Sequence, residues 1–227
     1  QMCIRDSSTG EELEEPGKPL TPGKIYDINS YSLMAAVVEA GCQPLRLGIA
    51  PDNYEQLKEK ILRGLKIADV LLASGGTSAG AGDLLYRILE EIAGSLLFHG
   101  VAVKPGKPIV AAVVKGKLVV GLPGYPTSAL MVFHRLVKPV LRLMAGLPLQ
   151  AEGGLVKARL GGKIFSAQGR CEFIPVHLVS KGDELLVFPA KGDSGAITTL
   201  ASADGFLEVK EEKVLLEEGE LVEVRLF

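Results

Sequence analysis

The sequence predicts an α/β domain with a parallel-rich sheet and helices on both faces, followed by a small C-terminal β-barrel-like domain. Three observations support this prediction. Short apolar runs alternate with helix-like segments from about Gly23 to residue 149, which is typical of a mainly parallel sheet. Beyond Gly146 helical periodicity mostly stops, and residues 155–227 are strand-like pieces interrupted by glycine. With 47% hydrophobic and 23% charged residues, the 227-residue chain can bury a core.

These patterns divide the chain into three predicted segments. Residues 1–9 carry no apolar periodicity, and the first seven, QMCIRDS, match no pattern further along the chain. We therefore expect an unstructured or foreign tail there. Residues 10–149 are predicted to form the α/β domain, and residues 150–227 the β domain.

The first strand–helix–strand passage is marked by polar capping residues and a glycine. Ile25–Ile28 is predicted to be a short strand. Asn29 or Ser30 can cap the following helix through a side-chain oxygen, and Gly41 can adopt the left-handed conformation that ends it. The next strand is predicted at Pro44–Ile49.

The second passage opens with a capping-box-like pair, Asp52 and Glu55. This pair predicts a helix over residues 54–66. Val70–Ala73 is the next predicted strand, and an apolar face with helical spacing predicts a helix over Leu84–Ala93.

The last α/β elements are a hairpin and a long helix. Ile109–Val114 and Lys117–Val120 flank Gly116, which predicts two antiparallel strands with a tight turn. The helix that follows Pro126 is predicted to kink at Pro139, because proline lacks the backbone N–H that the helix needs.

Composition argues against several classes of protein. The net charge of −2 and the pI near 6.0 argue against a nucleic-acid partner. No apolar run reaches the ~18 residues of a membrane span, and the start lacks a signal-peptide core, so no membrane partner is expected. Cys3, Cys42 and Cys171 have no metal-site or disulfide-framework spacing, and the three histidines are scattered. This pattern favours a reducing, cytoplasmic setting without zinc.

A glycine-rich loop stands out in DVLLASGGTSAGAGDLL, residues 69–85. In mainly parallel sheets ligands bind beyond the carboxyl ends of the strands, and this loop follows one such end. Bare backbone can turn its N–H groups inward to cradle an anion, and the next helix directs its positive end to the same place. The spacing is neither that of a Walker loop nor that of a dinucleotide fingerprint. The alternative is a flexible loop; the candidate binding residues are Gly75, Gly76, Thr77, Ser78 and Gly80.

One acid, Asp83, closes this loop. A carboxylate beside an anion cradle repels phosphate unless a cation bridges them, and Mg²⁺ takes one or two carboxylates together with phosphate oxygens. Asp52 follows the preceding strand and can supply the second acid. The alternative for both residues is that they only cap the helices that follow them.

Positive charge is supplied by VAVKPGKPIV, where Lys104 and Lys107 lie in a segment stiffened by proline. Two fixed ammonium groups suit a phosphate or another oxyanion, and the alternative is an ordinary exposed turn. In GLPGYPTSAL, Pro123 and Pro126 stiffen another strand-to-helix turn, and Ser128 lies in the first helical turn. This is a second helix N-terminus that can take an anion.

Seven motifs follow one another along the chain: STGEEL (8–13), YDINS (26–30), SGGTSAGAGD (74–83), KPGKP (104–108), LPGYPTSA (122–129), RCEF (170–173) and GDSGA (192–196). This ordered set resembles the C-terminal part of the molybdopterin molybdenumtransferase family, the MoeA proteins and the gephyrin E region. The resemblance runs from about residue 8 to the end, with a C-terminal β module.

The resemblance implies a molybdopterin-binding type of α/β fold and a reaction. Members insert molybdate into adenylylated molybdopterin and release AMP, with a divalent cation, taken here as Mg²⁺. The implied substrates are molybdopterin-AMP and molybdate, and the family works as a homodimer. The residues that match the family's site fall into three groups: Asp52, Asp83 and Lys104 as catalytic residues; Glu12, Asp52 and Asp83 as metal ligands; and Asp27, Asn29, Arg170 and Ser194 as further binding residues.

Two departures from the family pattern affect this expectation. The family has two further domains before its STGEEL strand, so we expect a fragment that is weak or inactive alone. Phe98-His99-Gly100 also stands where some members carry a lysine. The alternatives are a molybdopterin adenylyltransferase-like enzyme, which would lack the β module, and a non-catalytic molybdopterin-binding module.

Overall fold

The computed structural model describes residues 2–76, 84–148, 154–190, 192 and 197–227. The chain forms two compact units, Gln1–Val101 with Gly106–Leu149 and Ala102–Pro105 with Gln150–Phe227. The short segment Ala102–Pro105 thus belongs to the second unit, whereas the sequence had placed it within the α/β domain.

The first unit alternates strands and helices, and one two-residue strand in this stretch, Val103–Lys104, belongs to the second unit. The strands up to residue 122 are β1 (Cys3–Ser8), β2 (Leu13–Glu14), β3 (Ile25–Tyr26), β4 (Gln43–Arg46), β5 (Val70–Ser74), β6 (Ser95–His99), β7 (Val103–Lys104), β8 (Val110–Val114) and β9 (Lys117–Leu122). The helices are α1 (Asn29–Glu39), α2 (Tyr54–Ile67), α3 (Leu84–Ile92), α4 (Pro126–Val132) and α5 (Lys138–Met144), with a π-helical turn at Phe133–Val137 between the last two.

A six-stranded sheet in the order β4-β1-β5-β9-β8-β6 forms the centre of this unit. The first four strands are parallel, whereas β8 is antiparallel to both β9 and β6. Helices cover both faces. Side chains of β5 alternate between two cores, one containing Val70 and Leu72 with α1 and α4, the other containing Leu71 and Ala73 with α2 and α3. The predicted fold class is confirmed.

The prediction of an unstructured tail is wrong for Cys3–Ser8. This segment is β1, and it pairs in parallel with β4 on one side and β5 on the other. Pairing on both sides overrides the weak strand pattern, since strand preference depends mainly on the neighbours against which a segment packs. The strand predicted at Ile25–Ile28 is instead the two-residue β3, which pairs with β2 outside the main sheet.

Two helix starts also differ from the prediction. Neither Asn29 nor Ser30 caps α1; the side chain of Asp27 accepts the Ser30 N–H instead, at 3.1 Å. The cap of α2 is Asn53, whose side chain accepts the Gln56 N–H at 3.1 Å, so the predicted cap at Asp52 is displaced by one residue.

Other local predictions are confirmed. Gly41 ends α1 with a φ of 80°, and Lys115 and Gly116 form the β8–β9 turn with φ of 51° and 78°. The helix after residue 126 is interrupted by the π-helical turn just before Pro139, which lies in the first turn of α5. The kink predicted at Pro139 stays a prediction.

In the part of the chain that the structure describes, the second unit is a closed barrel with one short helix. Its elements beyond residue 153 are β10 (Leu155–Leu160), β11 (Ile164–Phe165), β12 (Cys171–Lys181), β13 (Glu184–Pro189), α6 (Ile197–Ser202), β14 (Gly205–Val209), β15 (Leu215–Leu216) and β16 (Leu221–Leu226). Five strands follow the order β13-β10-β16-β14-β12, and pairing of β12 with β13 closes the circle. The short β7 adds to β12 in parallel. Val176, Val187 and Val224 lie fully buried inside the barrel.

None of the helices in the described part of the chain combines the length and apolar composition that a membrane crossing requires.

Candidate functional site

Four neighbouring parallel strands of the main sheet, β4, β1, β5 and β9, end at the same edge. Backbone contacts continue past these ends. Thr9 pairs with Ala50, its N–H donates to Ser74 O at 2.8 Å, and the Gly75 N–H donates to Leu122 O at 3.1 Å. The STGEEL, SGG and LPGYP segments are therefore brought together where ligands bind in sheets of this kind.

A buried hydroxyl cluster around Asp27 lies beneath this edge. Asp27 Oδ1 accepts Ser8 Oγ at 2.7 Å and the Ser30 N–H at 3.1 Å; Oδ2 accepts Ser30 Oγ at 2.6 Å and Arg46 Nη2 at 3.3 Å. Since the Ser8 proton goes to Asp27, the Ser74 hydroxyl, 3.1 Å from Ser8 Oγ, donates to Ser8. Asp27 was predicted to contact a ligand, but protein groups use all four of its acceptor positions, and the residue faces inward.

Asp6 is a buried acid that the sequence reasoning missed. It lies on the same face of β1 as Ile4 and is only 1% exposed, and neither carboxylate oxygen has a hydrogen-bond partner among the described residues. Burial, followed by repulsion from Asp27, raises the pKa of Asp6 well above its ordinary value, and Ser30 and Arg46 offset only part of this. The two-residue alternation from Ile4 would have revealed it, had residues 3–8 been recognised as a strand.

The start of the glycine-rich loop is tightly packed. Gly75 and Gly76 have φ of 91° and 63°, and a Cβ on Gly75 would lie 2.5 Å from Thr9 O. Glycine is required there by backbone conformation and by space. The Gly75 N–H is already bonded to Leu122, so it is not a free anion donor. The remaining predicted cradle residues, Thr77, Ser78 and Gly80, lie outside the described residues.

Two of the three predicted metal ligands lie at this edge with unused carboxylates. The pairing of these two chain segments continues past the ends of β1 and β4, since the Gly10 N–H donates to Ala50 O at 3.4 Å. Glu12 lies two residues beyond Gly10, and Asp52 lies two residues beyond Ala50. Both acids are exposed, and neither has a hydrogen-bond or ion-pair partner among the described residues. Asp83 lies outside the described residues. Within the described ranges, no three His, Cys, Asp or Glu side chains form a ready-made metal cluster.

The predicted turn at residues 122–129 is anchored to the start of α1. Asn29 Nδ2 donates to Gly124 O at 2.8 Å, whereas Asn29 Oδ1 is buried without a hydrogen-bond partner in the described part of the chain. Pro126 occupies the first turn of α4, and Pro123 and Ser128 are buried. This turn is held to α1 by the Asn29 hydrogen bond, but its Ser128 hydroxyl is not presented to solvent.

The KPGKP segment is divided between the two units. Lys107 is exposed in the first unit, next to Gly106, which packs so tightly on α4 that a Cβ would lie 2.0 Å from Val132 Cγ2. Lys104 belongs to the second unit, where its Nζ lies 2.8 Å from Glu172 Oε1. Arg170 is exposed in the turn before β12 of that same unit, and Ser194 lies outside the described residues.

Two family models match the chain and together span most of it. Residues 7–143 match "Probable molybdopterin binding domain", and residues 157–227 match "MoeA C-terminal region (domain IV)". These ranges correspond closely to the first unit and to the barrel of the second unit.

Individual relatives agree with the family models. The molybdopterin molybdenumtransferase of Nostoc sp. is 36% identical over 205 residues, covering 87% of this chain and 46% of the relative. Molybdopterin molybdenumtransferase 2 of Mycobacterium tuberculosis is 34% identical over 226 residues, covering 96% of this chain and 54% of the relative. The crystal structure of a MoeA protein from Pyrococcus horikoshii superposes with a TM-score of 0.86 at 42% identity, covering 100% of this chain and 54% of the other. The chain spans about half the length of these relatives, and it belongs to the MoeA, or molybdopterin molybdenumtransferase, family.

Proposed function

We propose that this chain carries part of the site that inserts molybdate into adenylylated molybdopterin with release of AMP. The observation that carries the proposal is the joined edge of four parallel strands, at which Glu12 and Asp52 present exposed carboxylates that have no partner among the described residues. Relatives that share this fold are named molybdopterin molybdenumtransferases. Molybdate and molybdopterin-AMP are the proposed substrates.

A divalent cation fits the residues at this edge. Glu12 and Asp52 offer hard carboxylate oxygens, which Mg²⁺ prefers, and no protein donor among the described residues competes for them. With Asp83, they would hold Mg²⁺ beside a phosphate-bearing ligand. When bound, such an ion neutralises phosphate charge and fixes phosphate oxygens in place.

The chain's own cations are proposed to bind the anionic substrates. Lys107 in the first unit, and Lys104 and Arg170 in the second, are exposed groups that can donate to phosphate or molybdate oxygens. We further propose that the protein acts in the cytoplasm, because its cysteine pattern favours a reducing setting, and that it forms a homodimer, because the family resemblance implies one.

Calorimetry with molybdopterin-AMP, with and without Mg²⁺, tests the proposal together with an AMP-release assay. Asp52→Asn and Asp83→Asn are expected to lose most of the Mg²⁺-dependent part of binding. The stability of Asp52→Asn should change little, because Asn53, not Asp52, caps α2. Asp183→Asn, which removes an exposed acid from the β12–β13 turn, is the matched control.

The outcomes separate the alternatives. Unchanged Mg²⁺ dependence in both site variants contradicts the cation site. Binding of molybdopterin-AMP without AMP release supports the non-catalytic binding module for this chain. Because positioning of reactants can contribute up to about 7–11 kcal/mol of barrier lowering, release by a chain of half the relatives' length is expected to be weak.

A further inference from the structure

We propose that Glu172 is a positioning residue for Lys104: its carboxylate holds the ammonium so that the remaining N–H groups face an anionic ligand. The inference rests on the proposed function, in which Lys104 contacts that ligand. Glu172 lies in the RCEF motif, and it carried no predicted role.

The two residues are brought together by a pairing that is remote in sequence. The two-residue β7 pairs in parallel with β12, and Lys104 is the register partner of Glu172. The Cys171 N–H donates to Ala102 O at 2.9 Å, which fixes the start of this pairing. Lys104 is therefore attached to the barrel by its backbone as well as by its side chain.

The two carboxylate oxygens of Glu172 contact different groups. Oε1 lies 2.8 Å from Lys104 Nζ, whereas Oε2 accepts Ser166 Oγ at 2.9 Å and the Ala167 N–H at 2.7 Å. The two contacts on Oε2 orient the carboxylate, and Oε1 then restrains the end of a flexible lysine stem. An ammonium has three N–H donors, so one contact with Glu172 leaves two for a ligand.

Burial distinguishes this pair from an ordinary surface ion pair. The side chain of Glu172 is 11% exposed, whereas that of Lys104 is 52% exposed. Burial, the largest single influence, acts to raise the pKa of Glu172, yet the contacts with Lys104, Ala167 and Ser166 together lower it. A fixed, ionised carboxylate beneath a half-exposed ammonium can direct that ammonium outward.

The substitution Glu172→Gln removes the contact with Lys104 and can keep the contacts with Ser166 and Ala167. The amide oxygen can still accept Ser166 and Ala167, but an NH₂ group replaces the oxygen that holds Lys104. The matched control is Glu217→Gln, which removes an ion pair of the same unit in which Lys163 Nζ lies 2.9 Å from Glu217 and both side chains are 57% exposed.

The first measurement follows the lysine ammonium groups by ¹H–¹⁵N NMR, with Lys104→Met identifying the Lys104 signal. We expect a restrained Lys104 signal in the wild type and in Glu217→Gln, and its loss in Glu172→Gln. Persistence of that signal in Glu172→Gln overturns the proposal. If Glu172→Gln does not fold, Lys104→Met decides instead: the pKa of Glu172, followed by carboxyl ¹³C NMR, should rise, and an unchanged value overturns the proposal.

The second measurement is calorimetric titration with molybdate. Removing a negative charge beside Lys104 would by itself tighten the binding of an anion, whereas loss of positioning weakens it. We expect weaker binding to Glu172→Gln and unchanged binding to Glu217→Gln; tighter or unchanged binding to Glu172→Gln overturns the proposal. A further outcome is that the Lys104 signal is lost in Glu172→Gln and yet stays unchanged when molybdate or AMP is added to the wild type. That combination supports the restraint by Glu172 and refutes the proposed ligand role of Lys104.

Discussion

Replacing Asp6 by valine is expected to stabilise the first unit, because Asp6 places a buried carboxylate inside it. The residue is 1% exposed, and neither oxygen has a hydrogen-bond partner among the described residues. It extends from β1 on the face that carries Ile4, which lies in an apolar cluster. Valine has a similar size and shape, so it can take this position without a large cavity or clash.

The expected gain follows from two contributions. A buried, unsatisfied polar group costs about 1–3 kcal/mol, and more when it is charged. Exchanging aspartate for a β-branched residue in a strand adds up to about 1 kcal/mol. Arg46 keeps its ion pairs with Glu15 and Asp27 after the change, so the loss of its attraction to Asp6 costs little stability. We therefore expect the free energy of unfolding to rise by about 1–4 kcal/mol at pH 7.

The gain should depend on pH in a defined direction. The pKa of Asp6 is raised above its ordinary 3.8 in the folded protein, so the folded state holds more protons than the unfolded state between the two values. The contribution of Asp6 to the free energy of unfolding is therefore fully present below pH 3.8, and it is lost as the pH rises through the pKa that Asp6 has in the folded protein. The advantage of Asp6→Val should consequently shrink as the solution is acidified.

Urea unfolding of the wild type, Asp6→Val and Asp6→Asn between pH 4 and pH 8 measures these effects. Asp6→Asn removes the charge but leaves an unsatisfied polar group, so it should recover only part of the gain. Equal or lower stability of Asp6→Val at pH 7 would refute the reasoning. A gain that does not change with pH would show that strand preference, and not the buried carboxylate, is responsible.

Two further changes test packing and capping by urea unfolding. Gly106→Ala should cost about 2–4 kcal/mol, because φ is 106° and the new Cβ would lie 2.0 Å from Val132 Cγ2; Gly116→Ala, at a φ of 78° with open space, should cost only about 1–2 kcal/mol. Equal losses would contradict the close packing. Asn53→Ala should cost about 0.5–2 kcal/mol through loss of the α2 cap, and Asp52→Ala less than about 0.5 kcal/mol; the reverse order would restore Asp52 as the cap.

The sequence predicted the elements whose pattern is local. The apolar face of α3 was readable because Leu85, Ile88 and Leu89 recur with helical spacing, and all three are fully buried. The β8–β9 hairpin was equally readable from two apolar runs around Gly116. In both cases the residues that specify the structure lie within one short window of the chain.

Elements that depend on distant partners could not be predicted. The strand Cys3–Ser8 has a charged and polar sequence, and it becomes a central strand only because β4 and β5 pair with it. The two-residue β7 is too short to show any periodicity, and its partner β12 lies far along the chain. Lys104 was recognised as a site residue, but its attachment to the barrel was not.

The prediction at Asp52 failed on a finer point. Asp52 and Asn53 are both good capping residues, and the choice depends on which of them has the extended backbone of a cap. Asn53 has it, with φ of −123° and ψ of 125°, and its side chain makes the capping bond. The displacement by one residue matters for the site, because it leaves the Asp52 carboxylate without a partner among the described residues.

The predicted acids of the site also differ in whether protein donors already occupy their carboxylate oxygens. Asp27 and Glu12 were both identified from motifs, but Ser8, Ser30 and Arg46 occupy every acceptor position of Asp27. A carboxylate in that state can organise the strand ends but has no lone pair left for a cation or a substrate donor. Glu12 and Asp52 are exposed and have no protein partner among the described residues. The acids that bind ligand at this edge are therefore expected to be those without a partner, and Asp27 is expected to act through the strand ends and the start of α1 that it holds.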